Sequence, residues 1–377
     1  MPDYSATAPA RLATRLAFFA AGFAMACWAP LIPFAKENIG ADEATLGLLL
    51  LCIGIGSLIA MPLTGWLAAR SGAKPMILIG GFGLALALPF LIAAQSLWLL
   101  ATLLLFIGAF LGTIDVSMNI HAVEVENTED RPLMSGFHAQ FSIGGFAGAT
   151  LITYLLSRGV EAQVAILVGG AITFAVMAFA APRFLKAKGG DPVPFALPKG
   201  IVVLLAALTA ITFLVEGAIL DWSALLLVER QITPVEQAGT AYILFSIAMV
   251  IGRLTGDKVV AALGGFRILL LGGLLTAVGL AMTVLMPWPI ASLAGFLLVG
   301  IGAANIVPVL FSAAGKQKIM PAGMAIASVT TTGYAGILMG PAIIGFAAQI
   351  ITLPLAFGLL ALMMLAIPLS ARVATKR

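Results

Sequence analysis

Long apolar segments, separated by short stretches of glycine, proline and charged residues, follow one another along the sequence. They are continuous, whereas a membrane β-strand alternates apolar and polar residues over about ten positions. Most are long enough for a helix, which needs roughly 20 residues to cross about 30 Å of hydrocarbon. We therefore predict an all-α integral membrane protein with twelve transmembrane helices, at residues 12–34, 44–69, 75–94, 97–122, 134–157, 162–181, 201–228, 237–260, 266–286, 289–313, 321–349 and 352–371.

A polar, proline-rich stretch separates the first six predicted helices from the last six. We predict an N-terminal six-helix bundle at 1–181, a cytoplasmic linker at 182–200 and a C-terminal six-helix bundle at 201–377. The halves also repeat: GWLAARSGAKPMIL, from Gly65, follows the second helix, and GRLTGDKVVAALGGFRIL, from Gly252, occupies the matching place. Because repeats of this kind characterise secondary transporters, the two bundles are expected to be pseudo-symmetric.

The two repeated segments combine glycines, which allow tight turns, with charges that can hold neighbouring helices in one conformation. The candidate residues of this conformational latch are Gly65, Arg70, Gly72, Lys74, Gly252, Arg253, Asp257 and Lys258. The alternative is that they are turn residues that carry positive charge only because they face the cytoplasm.

Basic residues predict how the chain is oriented. If the N-terminus is cytoplasmic, Lys36, Arg158 and Arg230 lie outside and the other 17 of the 20 Lys and Arg residues lie inside. Cytoplasmic loops carry such an excess of basic residues. We therefore expect both termini to be cytoplasmic.

Composition narrows the classes of function. The chain is 61% hydrophobic and only 10% charged, against about 25% charged residues in soluble proteins. Its two cysteines and two histidines have no metal-ligand spacing, and no nucleophile–base constellation or phosphate loop is visible. We therefore expect no enzyme, metal or other cofactor. Because the basic residues are spread among loops, we expect no nucleic-acid partner.

Carboxylates inside the apolar runs are candidates for proton coupling, since an ionisable side chain in a span usually faces a protein interior or a water path. Asp115 lies in the fourth predicted helix, with Asn119 one turn later on the same face. Glu216 lies near the middle of the seventh helix, and Asp221 lies nearer its outer end. Because five residues correspond to about 140° around a helix, only one of these two acids is expected to face the transport path.

The two histidines receive different interpretations. His138, near the start of the fifth helix, can titrate in the physiological range, and with Asp115 and Asn119 it could form a short proton relay. The alternative is a simple structural hydrogen bond. His121 and Glu124 are expected to form a surface pair, since they are three residues apart on one helix.

Hydroxyl, amide and aromatic side chains in the spans could bind a polar solute, because sugars and polyols exchange hydrogen bonds and stack on aromatic faces. Each of them, taken singly, could instead be a helix-packing residue. The candidate substrate-binding residues are Trp28, Asn119, Gln140, Asp221, Trp222, Tyr242, Asn305, Thr331 and Tyr334.

The six-plus-six layout and the loop with Gly65, Arg70, Gly72 and Lys74 resemble the major facilitator superfamily. The acid usual before the arginine is Ala69 here, whereas Asp257 supplies an acid in the second half. The segments EGAILDWSALLL, GRLTGDKVV, ANIVPVLFSAAG and GYAGILMGPAIIGF are similar to bacterial proteins of the MosC and YbjJ type, near the fucose permease branch.

This resemblance implies the twelve-helix fold of that superfamily and a multi-pass location in a bacterial inner membrane. It also implies proton coupling through intramembrane acids on helices one and four. Asp115 resembles the helix-four acid, but the first helix, LAFFAAGFAMACWAPLIPF, carries no acid.

We therefore expect a secondary active transporter that moves a small polar solute, sugar-like or polyol-like, by alternating access in symport with protons. The alternative is a proton-coupled exporter of a metabolite or drug-like compound. The expected partners are the solute, protons and the lipid bilayer, and a monomer suffices for this architecture.

Overall fold

The computed structural model describes residues 7–129, 133–185, 197–320 and 322–376, and within them the regular structure is helical. The α-helices are α1 Thr7–Trp28, α2 Ile32–Ile39, α3 Glu43–Ser71, α4 Ala73–Ala93, α5 Leu97–Glu129, α6 Met134–Ser157, α7 Ala162–Ala180, α8 Ile201–Glu229, α9 Thr240–Leu285, α10 Pro289–Ala303, α11 Ile306–Lys316, α12 Ala322–Ile351, α13 Leu353–Met364 and α14 Ala366–Ala374.

In the described ranges, 12 helical stretches are long and apolar enough to cross a membrane, which confirms the predicted fold class. Three of them consist of two consecutive helices: α1 with α2, α10 with α11, and α13 with α14. The first break is a 3₁₀ turn at Ala29–Leu31, where Pro30 removes a backbone donor. The long helix α9 contains two spans.

Single glycines make the turn after the second span of each half. Gly72 has φ 87° and ψ 163° between α3 and α4, and Gly264 has φ 75° and ψ 157° inside α9. L-amino acids rarely adopt such positive φ values, whereas glycine adopts them at little cost. The two halves therefore share the backbone conformation of this turn as well as a similar sequence around it. The turn of the second half lies at Gly264, whereas Gly252 to Lys258 are helical residues of α9.

The chain divides into two compact units. The first contains the described residues of Met1–Ala41 and Cys52–Pro192, and the second those of Asp42–Leu51 and Val193–Arg377. The first turns of α3 belong to the second unit, where a Cβ on Gly47 would lie only 3.0 Å from the Cα of Gly345 in α12. The predicted linker at 182–200 falls partly outside the described residues, and the predicted bundle boundaries stay a prediction.

The two units are packed by the same scheme. In the first unit α1 packs on α6, and α4 packs on α5 and α7; in the second, α8 packs on α12, and α9 packs on α10 and α13. Glycines allow close contact within the helix pairs α1–α6 and α8–α12. A Cβ on Gly22 of α1 would collide with the carbonyl of Phe141 in α6, and a Cβ on Gly336 of α12 would collide with the carbonyl of Ala210 in α8. Small residues serve this close approach in membranes, where helices associate through packing.

Candidate functional site

A carboxylate and a guanidinium meet inside the second unit. Glu216 of α8 and Arg253 of α9 both lie within spans, and Arg253 Nη2 is 3.3 Å from Glu216 Oε2. The Glu216 side chain is 15% exposed, and that of Arg253 is 30% exposed. The second carboxylate oxygen, Oε1, is buried and has no hydrogen-bond partner in the described part of the chain. The pair thus offsets much of the cost of two intramembrane charges and leaves one acceptor unused.

The partner of Glu216 was missed by sequence reasoning, which assigned Arg253 to the latch. A signal was nevertheless present, because Arg253 lies inside the predicted helix 237–260 and a basic residue in a span requires a counter-charge. The structure therefore brings together one residue predicted for proton coupling and one predicted for the latch.

Tyr242 extends this polar group along α9. Tyr242, Ser246 and Arg253 are separated by four and seven residues, so they share one face of the helix. The side chains of Tyr242 and Ser246 are hydrogen-bonded to each other, and the Tyr242 phenol lies within electrostatic reach of Glu216, Arg253 and Asp221. A phenol, a guanidinium and a carboxylate are thereby grouped on α8 and α9.

Asn305 lies at the break between α10 and α11 and binds α9. Its Nδ2 donates to the carbonyl oxygen of Gly252 at 3.1 Å, and a Cβ on Gly256 would collide with its side-chain oxygen. Two residues predicted for different roles, Gly252 for the latch and Asn305 for the solute, are therefore in direct contact.

Other candidates in the second unit differ in accessibility. Asp221 is 8% exposed, Trp222 and its neighbour Ser223 are fully buried, and Trp222 Nε1 and Ser223 Oγ have no partner among the described residues. Tyr334 packs edge-on against Phe213, with ring centroids 6.1 Å apart. Thr331 is exposed.

In the first unit Asp115 and Asn119 contact each other, as their spacing predicts. Asn119 Nδ2 donates to the Asp115 carbonyl oxygen at 2.8 Å and lies 3.5 Å from its Oδ1. Both are half-buried, as is Gln140 of α6, whereas Trp28 at the end of α1 is buried. His138 is exposed and lies edge-on to Phe18, with ring centroids 5.0 Å apart. The relay through His138 stays a prediction.

The interpretation of His121 as a surface residue was wrong. Its side chain is fully buried, its Nδ1 lies 2.9 Å from Thr14 Oγ1, and the backbone N–H of Leu185 donates to its Nε2 at 2.8 Å. Since Nε2 accepts a hydrogen bond, we assign the proton to Nδ1, which donates to Thr14. The Thr14 hydroxyl in turn donates to the Ala10 carbonyl. His121 therefore ties α5 to α1 and to the chain after α7.

The latch candidates of the first unit lie at the end of α3 and the start of α4. Gly65 is inside α3, Gly72 forms the turn, and Lys74 is half-buried in the first turn of α4. The Arg70 guanidinium is stacked on the Trp66 ring, 3.9 Å from its centroid. Lys258 is exposed on α9, while the side chain of Asp257 lies outside the described part. Within the described residues, no His, Cys, Asp and Glu side chains form a group able to hold a metal ion.

Comparisons with known proteins agree with this architecture. The model of the Major Facilitator Superfamily matches residues 15–319. An MFS-type transporter of Yersinia pestis, itself uncharacterised, is 47% identical over 369 residues, which cover 97% of this chain and 96% of the relative. Membrane protein MosC of Rhizobium meliloti is 30% identical over 341 residues, which cover 89% of this chain and 83% of that protein.

Among solved structures, a variant of the nucleoside transporter NupG superposes with a TM-score of 0.78 over 97% of this chain and 100% of that one, at 13% identity. This likeness concerns the fold. The family match covers most of the chain, and the relatives align nearly end to end with it. The chain therefore belongs to the major facilitator superfamily, and it is a multi-pass membrane transporter rather than an enzyme.

Proposed function

We propose that this transporter carries a small polar solute across the bacterial inner membrane by alternating access, in symport with protons and with both termini in the cytoplasm. The observation that supports this most is the ion pair between Glu216 and Arg253. An acid and a base held inside apolar spans are costly to keep unless they serve the transport path.

The pair offers a simple coupling chemistry. A proton on Glu216 removes the charge that attracts Arg253, and loss of the proton restores the attraction. Breaking the pair separates the guanidinium from Glu216, and the planar fork of donors of a guanidinium suits oxygen-rich solutes. Asp115, held beside Asn119 in the first unit, supplies a second acid, so each unit contributes one group able to exchange a proton.

The polar side chains within each unit support the proposed solute class. In the second unit, the phenol of Tyr242 and the unused oxygen of Glu216 favour a solute with several hydrogen-bonding groups, and in the first unit the amides of Asn119 and Gln140 do the same. The fold is shared with a nucleoside transporter, whose cargo is polar. A monomer contains all of these groups.

The proposal is tested by measuring the unfolding temperature of the purified protein with and without added compounds. The compounds are sugars, polyols, nucleosides and lipophilic drugs, and each is measured at an acidic and an alkaline pH. A ligand that binds the folded state raises its apparent stability. We expect a polar compound to stabilise the wild type in a pH-dependent manner, and this pH dependence to weaken in Asp115→Asn and in Glu216→Gln.

The matched control is Glu161→Gln, because Glu161 is exposed at the start of α7; its pH dependence should equal that of the wild type. Stabilisation by lipophilic drugs alone would contradict the proposed solute class and favour an exporter. A pH dependence that survives both substitutions would contradict the assignment of the two acids.

A further inference from the structure

The ion pair between Glu216 and Arg253 is weaker than a carboxylate and a guanidinium can make it. Arg253 Nη2 lies 3.3 Å from Glu216 Oε2, whereas such bonds are usually about 2.7–2.9 Å long and often form in parallel pairs. The other oxygen, Oε1, is buried and has no hydrogen-bond partner in the described part of the chain. Glu216 therefore contacts the guanidinium through one oxygen, and a carboxylate that makes two bonds to it would bind it more strongly.

The other cations on the helices around this pair lie at the surface. The helices that pack on α8 are α9, α11, α12, α13 and α14, and α12 and α13 contain no charged residue. Lys316 and Arg372, in the last turns of α11 and α14, are exposed, and so is Lys258 of α9. Arg253 is therefore the cation that Glu216 contacts within the spans.

The titratable groups near the pair are an acid and a phenol. Asp221 is 8% exposed and lies five residues after Glu216, about 140° around α8, so the two acids do not share a face. The Tyr242 phenol of α9 is within electrostatic reach of Glu216, Arg253 and Asp221. Tyr334 of α12 packs on an aromatic ring of α8. The charge closest to Glu216 among these groups is that of Arg253.

The protonation of Glu216 determines which solute charge this pair favours. With Glu216 ionised, the charges of Glu216 and Arg253 cancel, and with Glu216 protonated, the pair carries one positive charge, because arginine stays charged. The Glu216 and Arg253 side chains are only 15% and 30% exposed, and a net charge inside an apolar span is costly. The protonated pair therefore favours an anion beside Arg253.

We propose that the transported solute is a small hydroxylated carboxylate, whose carboxylate group replaces that of Glu216 beside Arg253 when Glu216 takes up a proton. This inference rests on the proposed function and deepens it by naming the charge of the solute. The proton neutralises Glu216 and the solute supplies the anion for Arg253, so the net charge of this site is the same before and after binding. Hydroxyl groups of the solute meet Ser246 and Tyr242, which share a face of α9 with Arg253.

The test compares acids with their own amides, which keep the hydroxyl groups but lack the charge. The probes are lactate, gluconate and glucuronate, with lactamide, gluconamide and glucuronamide as neutral counterparts. Dissociation constants come from concentration-dependent thermal stabilisation of the full chain, at about pH 6 and about pH 8, where the acids are ionised. We expect at least one acid to bind the wild type about tenfold more tightly than its amide, and more tightly at the lower pH.

Variants separate the roles of the two side chains. Glu216→Gln imitates the protonated acid, so it should bind the same acid at both pH values as tightly as the wild type does at the lower one. Combining Glu216→Gln with Arg253→Gln removes both charges, and affinity for the acid should fall about tenfold. Arg267→Gln is the control, because Arg267 is an exposed arginine that follows the turn in α9; its affinities should equal those of the wild type.

A measurement on the wild type covers the case in which a variant does not fold. In weakly buffered solution at the higher pH, binding of the acid should draw protons from the solvent, because anion and proton favour each other's binding. A pH dye reports this uptake, and the amide should cause none. Binding of the acid without proton uptake would overturn the inference.

An amide that binds as tightly as its acid would also overturn it, as would an affinity for the acid that is unchanged when both charges are removed. If none of the acids stabilises the wild type but sugars, polyols or nucleosides do so in a pH-dependent manner, the inference fails and the proposed function stands. If lipophilic drugs alone stabilise it, both fail.

Discussion

At the scale of single residues, the ion pair between Glu216 and Arg253 is the most informative feature, because each side chain determines what the other can do. Both side chains lie within apolar spans, and removing Arg253 takes from the Glu216 carboxylate the cation 3.3 Å away. Truncating one partner of a buried pair is costly, whereas replacing both by uncharged groups is often nearly neutral.

We therefore expect Arg253→Met to destabilise the protein by about 3 kcal/mol, because it leaves the Glu216 carboxylate without a counter-charge. The double variant with Glu216→Gln should recover most of this loss, which thermal unfolding in one detergent can measure. Additive effects of the two substitutions would contradict a direct pair.

His121 gives a second prediction at this scale. Thr14→Val removes the acceptor of the Nδ1 proton and should destabilise by about 1–3 kcal/mol, the cost of an unsatisfied buried group. Thr102→Val is the control, since Thr102 is an exposed helical threonine whose hydroxyl donates to the carbonyl four residues earlier in its own helix. Equal unfolding temperatures for the two variants would show that the buried contact contributes nothing.

At the scale of elements, Arg230, one of the three basic residues predicted to lie outside, has a defined structural role. It follows α8, and its guanidinium donates to the carbonyl oxygens of Thr283 and Met286 at the end of α9 and to Ser292 Oγ in α10. Terminal carbonyls of a helix lack partners within the helix, and a cation there also complements the helix dipole. Partial burial lowers the pKa of Arg230 from its usual range, but an arginine stays charged at any physiological pH.

Arg230→Gln should therefore lower stability by about 1–3 kcal/mol, because the carbonyls that it caps lose a charged donor. Arg158→Gln should change stability by less than about 0.5 kcal/mol, because Arg158 is exposed and surface substitutions are usually mild. Hydrogen exchange at the end of α9 should rise only in the first variant. An equal response of both variants would contradict the capping role.

At the scale of the whole molecule, the sequence was sufficient to predict the helices but not to predict which helices and side chains contact each other. Hydropathy and length predicted the 12 spans, because a bilayer imposes a length on every apolar helix. Helices that are apolar all round give no periodic signal for which face meets which neighbour. The partner of Glu216, 37 residues away, and the burial of His121 under Leu185, 64 residues away, therefore had to come from the structure.

The internal repeat was likewise predicted from the sequence in outline, while its details came from the structure. Sequence similarity indicated two related halves, and the packing of α1 on α6 and of α8 on α12 agrees with it. The predicted helices 237–260 and 266–286 place the turn of the second half at 261–265, and it lies there, at Gly264. This gap contains two glycines, Gly264 and Gly265, and only the positive φ angle identifies the one that makes the turn.

Proton-coupled flux in liposomes tests the central claim most directly. Purified wild-type protein should accumulate a stabilising polar solute against its gradient when an inward proton gradient is imposed, and an interior pH dye should report proton entry with the solute. Glu216→Gln should bind the solute but lose accumulation, whereas Glu161→Gln should behave as the wild type. Accumulation by Glu216→Gln equal to that of the wild type, with the same proton entry, would contradict the account.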